Sequence, residues 1–247
     1  MTFPDTVISV PIWDSDEQSQ WTLALIEAAQ NESIMRGNFH LALVDNASPS
    51  QVTQEALLRA EGANIKRLSI LRNESNQGYG KAANRGVFYG LGLGAQYAIV
   101  MNNDITIRNP DWVEEAFVSH LRADPNQLMG SRLIDFNGGA MYDGQNVTPY
   151  LEGWCLAFHR SFVENVGLFD GAIFNWHEDA ELCIRAVKNG FKLSQSPAFE
   201  WDGVKPMVQG PLLHASGKTG FKKLDYPSIA EASRAHVVRK HFSKERL

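Results

Sequence analysis

Along the first hundred residues, apolar runs alternate with amphipathic stretches. Thr6–Ile12 (TVISVPI) is a β-branched run containing Pro11, the pattern of a buried strand. Ser15–Asn31 carries Trp21, Leu23, Leu25, Ile26 and Ala29 near helical spacing, with Asp14 or Ser15 as its N-cap. His40–Val44 predicts a second strand, closed by the turn Asp45-Asn46-Ala47-Ser48-Pro49. Pro49 suits the first position of a helix with Val52, Ala56, Leu57 and Ala60 on one side, ending at Gly62. Ile65–Leu71 reads as a third strand, Gly80–Gly94 as a glycine-punctuated helix, and Tyr97–Met101 as a fourth strand running into Asn102-Asn103-Asp104.

This alternation predicts an α/β fold: a doubly wound, mostly parallel central sheet flanked by helices. Right-handed crossovers then place the strand C-termini along one edge, where ligands of such sheets bind. The loops Trp13–Asp14, Asp45–Ser48, Asn73–Lys81 and Asn102–Asp104 converge there. The second half is less regular. Pro110–Ala123 reads as a helix, Gln127–Leu133 as a strand, and Asp135–Thr148 as a polar, glycine-rich loop beside the crevice. Glu178–Asn189 is a helix stopped by Gly190, and Phe191–Gln195 a strand. Glu200–His214 resists assignment, and from Ile229 an amphipathic basic helix closes the chain. With no repeat, low-complexity tract or linker, residues 1–247 read as a single domain.

Composition narrows the partners. A net charge of −5 argues against nucleic acid, whose binders carry a basic stripe. Cys155 and Cys183 make neither a disulfide framework nor a ligand pair. Met1–Asp5 lacks a secretory n-region, and Val87–Met101, interrupted by Gly90, Gly92, Gly94 and Gln96, is too short to span a bilayer. The expectation is a cytoplasmic chain. Its basic C-terminal helix would either touch the inner face of the membrane or present a solvated face.

Several segments carry candidate chemistry, each with a plainer alternative. Asp104 could hold a hard divalent cation at a strand end, or Asn102-Asn103-Asp104 could be a solvated Asx turn. Asp45 could accept a pyrimidine imide N–H or cap the next helix, a duty equally open to Asn46 or Ser48. Trp13 offers a face for a base or packs on the sheet rim. Asn76-Gln77-Gly78-Tyr79-Gly80-Lys81 opens a helix whose N–H groups could receive an anion, Lys81 adding charge; a tight connection is the alternative. Glu178 and Asp179 start a helix with an inward stripe of Leu182, Cys183, Ala186 and Val187, and Asp179 lies on that stripe. An ionised aspartate there suits a general base; a pair of capping carboxylates is the alternative. Glu181 pairs with Arg185 at i,i+4, a contact worth little. Trp154, Trp176 and His177 flank the helix as sugar-facing surfaces or core, and His214 with Lys218 could add a metal ligand and a phosphate contact.

In this order, VISVPIW (7–13), VDNASPS (44–50), NQGYGKAANRG (76–86), MNND (101–104) and the Glu152–Gly190 segment containing HEDAELCIR resemble the inverting family 2 glycosyltransferases of GT-A fold, rhamnosyltransferase-like members among them. The resemblance covers nearly the whole chain. It implies a nucleotide-sugar-binding half over 1–104 and an acceptor and catalytic-base half over 105–247. It further implies Asp45 as base-reading aspartate and Trp13 as its stacking aromatic, with Pro11, Asn76, Gly78, Lys81, Asn102, Asn103 and Lys218 around the donor. Asp104, completed by His214, would hold Mg²⁺ or Mn²⁺; Asp179, beside Glu178, would be the base; Trp154, Trp176 and His177 would face the acceptor. The implied donor is dTDP-rhamnose or a UDP-sugar, and the acceptor a glycan or lipid-linked glycan. Asn102 replaces the usual first aspartate of the metal motif, Ser50 a frequent second aspartate, and Trp13-Asp14 a frequent Tyr-Asn. A non-catalytic sugar-nucleotide-binding module and a sugar nucleotidyltransferase are the alternatives, although the latter's glycine-rich basic signature is missing from Trp13–Gln20.

Overall fold

A computed structural model describes residues 4–134, 140–142, 145–147, 149–199, 210–215 and 226–242. Strands β1 (Thr6–Ile12), β2 (Phe39–Asp45), β3 (Leu68–Arg72) and β4 (Tyr97–Met101) are parallel and lie in the spatial order 3-2-1-4. Helices α1 (Ser19–Gln30), α2 (Gln51–Gly62) and α3 (Tyr79–Gly92) connect them. These elements match the sequence pattern, with three departures: β3 begins at Leu68, after a turn in which the Leu68 N–H donates to the Ile65 carbonyl; α2 begins at Gln51, so Pro49 precedes the helix; and Leu23 and Val52, expected on apolar faces, are exposed.

The second half completes the sheet. β5 (Ile105–Ile107) leaves it, and a π-helical turn, Val113–Val118, leads into α4 (Ser119–Ala123). The single strand expected over Gln127–Leu133 divides at Gly130 into β6 (Gln127–Gly130) and β7 (Leu133–Ile134). Of the glycine-rich segment, β8 (Ala140–Tyr142) and β9 (Gln145–Val147) form an antiparallel pair; its remainder lies outside the described residues. β10 (Tyr150–Leu151) pairs with β7.

The sequence pattern did not foresee β11 (Cys155–His159), which runs antiparallel between β4 and β6. α5 (Arg160–Asn165), α6 (Glu178–Lys188) and β12 (Lys192–Gln195) follow, then β13 (Leu212–His214) and α7 (Tyr226–His241). The seven-stranded order is 12-6-11-4-1-2-3, with β11 alone reversed. The N-terminus of β11 therefore reaches the same edge as the C-termini of its neighbours.

Alternation along the strands divides the core. Ile8, Val10, Ile12, Leu41 and Leu43 face Leu25, Ala28, Leu57, Trp112 and Phe117 on one side. Val7, Ala42, Ala98 and Val100 face Val87, Phe162, Leu182, Cys183 and Ala186 on the other. The stripe expected for α6 is wrong at Val187, which is 55% exposed, because a second face of Ala180 and Ile184 is covered by Val237 of α7.

The glycines of α3 record how closely it lies on β1. A Cβ on Gly90 would come 2.2 Å from the Val7 side chain, and one on Gly86 would come 2.1 Å from Ser9 Oγ. Ser9 Oγ instead donates to the Ala83 carbonyl at 2.9 Å. Gly90→Ala should cost about 1–3 kcal/mol through overpacking. Gly92→Ala, with nothing within 4 Å of the new methyl, should cost nothing. Urea titration of both variants checks this, and equal losses would contradict the close-approach account.

Candidate active site

At the end of β1, Asp14 is fully buried. Its carboxylate accepts hydrogen bonds from Thr22 Oγ1 of α1 at 2.6 Å, Thr53 Oγ1 of α2 at 3.1 Å and Asn103 Nδ2. Burial pushes its pKa up to about 6 against the pull of these three donors, and the charge of Asp45 adds to the rise. The sequence reading offered Asp14 only as a helix cap; it is a tie joining two helices to the end of β4.

Asp45, also buried, accepts the Ser48 N–H at 2.9 Å on Oδ1 and Gln54 Nε2 at 2.8 Å on Oδ2, with Arg72 Nη1 at 3.3 Å. It does not cap α2, and neither does Asn46 or Ser48: the cap is Ser50, whose Oγ accepts the Thr53 N–H at 3.1 Å. Trp13 is half-buried beside these residues and Pro11 is buried inside β1.

Three N–H groups of the Asn76–Lys81 turn are already engaged within the fold. Gln77 N–H donates to Asn46 Oδ1, Gly78 N–H to Asn76 Oδ1 and Tyr79 N–H to the Phe174 carbonyl. Gly78 has φ +85°, and a Cβ there would come 2.2 Å from the Phe174 oxygen, so the position requires glycine. Lys81 is exposed and lies against Gly171.

At the end of β4, Asp104 is fully buried, and neither carboxylate oxygen accepts a hydrogen bond from the described residues. The pairing of β5 with β13 sets His214 opposite Ile105, and the Ala215 N–H donates to the Asp104 carbonyl at 2.9 Å. His214 Nε2 thereby stands 3.1 Å from Asp104 Oδ1, without hydrogen-bond alignment, and 3.2 Å from Asn102 Nδ2. A buried carboxylate left without donors costs about 1–3 kcal/mol or more, which a bound cation would offset. The oxygen-and-imidazole donor set suits Mg²⁺ or Mn²⁺. Among the described residues no group of three or more His, Cys, Asp or Glu side chains forms a metal cage, so Asp104 and His214 stand as a pair.

Trp154 does not present an acceptor platform. It is 5% exposed, with its ring stacked on His214 at 4.9 Å and 7° and edge-on to Phe199. Its Nε1 donates to Glu152 Oε2 at 3.3 Å, and Arg132 holds the other oxygen of Glu152 at 3.1 Å. Trp176, by contrast, is 40% exposed beside the start of α6.

That start is strained. Trp176 and His177 adopt left-handed φ of 66° and 64°, a costly conformation for non-glycine residues that concentrates at functional sites. Burial lowers the pKa of His177, with nearby Arg234 adding to the effect. Asp179 Oδ2 accepts the Gly153 N–H at 3.0 Å, and Oδ1 accepts the Ala180 N–H at 2.8 Å. Glu178 is partly exposed as a residue, yet its Oε2 is buried without a partner among the described residues. Burial, and then the charge of Asp179, pushes Glu178 up to about 8; burial also raises Asp179 against its two backbone donors. The Tyr79 hydroxyl donates to the Gly153 carbonyl at 3.2 Å. Burial pushes that phenol well above its usual range, and the acids Glu178, Asp179 and Asp104 push it further.

Glu181 pairs with Arg185 as its spacing predicts, but not as a weak surface contact. It is fully buried, bonded by Arg185 at 2.7 Å, Lys240 Nζ at 2.7 Å and His241 Nε2 at 3.0 Å, and its pKa falls to about 2 as these partners outweigh burial. Asp170 likewise receives Lys240 at 2.7 Å and His236 at 2.9 Å. Lys240 and His241 of α7 thus dock on α6, and Lys240 and His236 on the loop ahead of it, whereas Arg239 keeps the exposed position expected of a solvated face. Lys218 lies outside the described residues.

The structure thus brings Asp45, Asn102, Asn103, Asp104, His214, Glu178 and Asp179 to one sheet edge through continuous contacts. Asp14, Tyr79 and the Arg132–Glu152 pair were missed as site residues. Only a buried carboxylate at a strand end could have signalled Asp14, and nothing in the local pattern marked the other three.

The sequence model for Glycosyl transferase family 2 matches residues 9–167. Over 187 residues the chain is 21% identical to the low-salt glycan biosynthesis hexosyltransferase Agl10 of Haloferax volcanii, covering 66% of this chain and 58% of that protein. It also resembles the mannosyltransferase PcManGT from Pyrobaculum calidifontis in complex with GDP-Man and Mn²⁺, with TM-score 0.57, 18% identity, and coverage of 79% of this chain and 55% of that one. GalNAc-T7 with UDP, GalNAc and Mn²⁺ gives TM-score 0.55 and 15% identity over 78% of this chain and 41% of that one. S. aureus TarS 1-349 in complex with UDP gives TM-score 0.51 and 16% identity over 77% and 57%. At these identities the structural likeness is one of fold, and the chain spans roughly half the length of the relatives it matches.

The raised pKa of Glu178 has a sign for stability. Between its ordinary value of 4.5 and about 8 the folded chain holds a proton that the unfolded chain releases, so stability falls as pH rises through that window. Glu178→Gln should flatten this decline. Denaturation midpoints from pH 5 to 8 check it, and a slope identical to that of the parent would contradict the burial of the acid.

Proposed function

Because the chain belongs to glycosyl transferase family 2, we propose that it transfers a glycosyl group from a nucleoside-diphosphate sugar to a hydroxyl of a glycan or lipid-linked glycan, with inversion and with divalent-cation assistance. The observation that carries this reading is the pairing, on one sheet edge, of a donor-free buried carboxylate beside an imidazole with an acidic pair whose proton affinity is raised. The nucleotide sugars and Mn²⁺ named with PcManGT and GalNAc-T7 support the donor class and the cation.

Asp104 and His214 would hold Mg²⁺ or Mn²⁺, which when bound neutralises charge on the departing diphosphate. Asp45, at the far side of the same edge, would read the base, with Trp13 against it. Its oxygens already hold Ser48, Gln54 and Arg72, so a base N–H would share or displace those donors. Asp179 is the general base. Two adjacent buried carboxyls do not both ionise readily. Asp179 has two backbone N–H donors and a helix N-terminus to stabilise its charge; Glu178 has an unpartnered oxygen. The proton therefore resides on Glu178, and Asp179 takes the acceptor's proton as its oxygen attacks the anomeric carbon from the face opposite the leaving group. Trp176 and His177, immediately before this pair, would border the acceptor. Among the described residues no helix is long and apolar enough to cross a membrane.

Asp179→Asn should lower transfer by about 10²–10⁴-fold, the usual worth of a positioned base. Donor binding should stay within about threefold, equivalent to less than 1 kcal/mol. Product assays with a panel of sugar nucleotides, alongside calorimetric nucleoside-diphosphate binding, test this; normal turnover would remove the base assignment, and donor binding with no transfer by the parent chain would favour a non-catalytic module. Asp104→Asn should abolish the Mn²⁺-dependent gain in nucleoside-diphosphate affinity. Retention of that gain, read as thermal shift with and without Mn²⁺, would remove Asp104 from the cation site.

A further inference from the structure

His214 ends a three-residue strand. Its pairing with Ile105 fixes where the Cα sits, yet leaves the ring free to turn about two side-chain torsions. Its polar neighbours, Asp104 Oδ1 at 3.1 Å and Asn102 Nδ2 at 3.2 Å, both meet Nε2, so they bear on one corner of the ring and not on its plane. The plane is met by Trp154, parallel within 7° at 4.9 Å.

We propose that Trp154 is a positioning residue: its indole sets the plane of the His214 imidazole so that Nε2 faces Asp104. The inference rests on the cation site proposed above and adds what holds its nitrogen ligand in place. Trp154 is itself anchored on three sides. Nε1 donates to Glu152, which Arg132 grips; its edge meets Phe199; and its carbonyl accepts the Asn102 N–H at 2.8 Å. The surface that the imidazole leans on is therefore rigid. Partners that orient a metal-bound histidine are worth about 10–100-fold in metal affinity.

Two other roles for Trp154 make different predictions. A sugar platform needs an open face, which 5% exposure denies. Core packing alone would affect stability without regard to His214.

The test uses the full chain and Mn²⁺ alone as probe, with free ion read by electron paramagnetic resonance and folding by circular dichroism. Trp154→Leu removes the flat face while filling much of the volume, and Trp154→Met does the same should the first variant not fold. Either should weaken Mn²⁺ binding by about 10–100-fold. Trp154→Phe, which keeps a ring to stack but loses the Glu152 bond, should stay nearer the parent. In a His214→Ala background, Trp154→Leu should cause no further loss, because the two residues act through one ligand. Parent-like Mn²⁺ affinity in folded Trp154→Leu, or an equal loss in the His214→Ala background, would overturn the positioning role. Parent-like affinity in both His214→Ala and Asp104→Asn would instead overturn the cation-site reading beneath it.

Discussion

The arrangement of this edge depends on one close approach, that of Gly153 to Asp179. A Cβ at residue 153 would come 2.9 Å from the Asp179 Cβ, so only glycine lets the chain entering β11 pass against the first turn of α6. Through that contact the Gly153 N–H holds Asp179 and its carbonyl holds the Tyr79 hydroxyl. The residues on either side extend the tie: the Glu152 carboxylate takes the Trp154 indole N–H, and the Trp154 carbonyl takes the N–H of Asn102. Three consecutive residues thus join the acidic pair to the end of β4. They can do so because β11 is the one reversed strand, which delivers its beginning to an edge where every neighbour delivers its end.

The buried acids of the molecule fall into two kinds. Asp14, Asp45 and Glu181 are enclosed and fully supplied with donors, and each joins elements that the chain brings together from afar. Asp104, which is enclosed, and Glu178, of which one oxygen is, lack hydrogen-bond donors there among the described residues. An unsatisfied buried polar group costs about 1–3 kcal/mol, so two of them are a sizeable fraction of a marginal stability. Together with the left-handed backbone at Trp176 and His177, these two acids bring unfavourable features to the edge where ligand and proton transfer are proposed.

Local pattern carried most of the fold and little of the site's wiring. β1 and β4 are legible to the residue because a β-branched or apolar run inside a parallel sheet needs no information beyond itself. β11 was not legible, since Cys155–His159 is a short apolar run whose direction depends on two strands distant in sequence. The candidate acids were visible as polar stops at the ends of apolar segments. What each acid touches was not: Asp14 meets Asn103 across 89 positions, and Glu181 meets Lys240 across 59. The i,i+4 spacing named Arg185 as the partner of Glu181 but could not show that both would be covered, which changes a weak surface contact into part of a buried network.

That network bears on the proposed base. α6 begins at Glu178-Asp179, and three residues later Glu181 anchors the same turn to Lys240 and His241 of α7. α7 also reaches the strained approach to the helix, where Ser233 Oγ donates to the Asn175 carbonyl at 2.8 Å and His236 and Lys240 hold Asp170. Because ion pairing depresses the pKa of Glu181, its contribution to stability is present above the ordinary carboxylate range and is lost as pH falls toward about 2. Glu178 acts in the opposite sense and loosens the helix start as pH rises. The first turn of α6 is thus held to α7 through its third acid, while burial and the charge of Asp179 make its first acid harder to ionise.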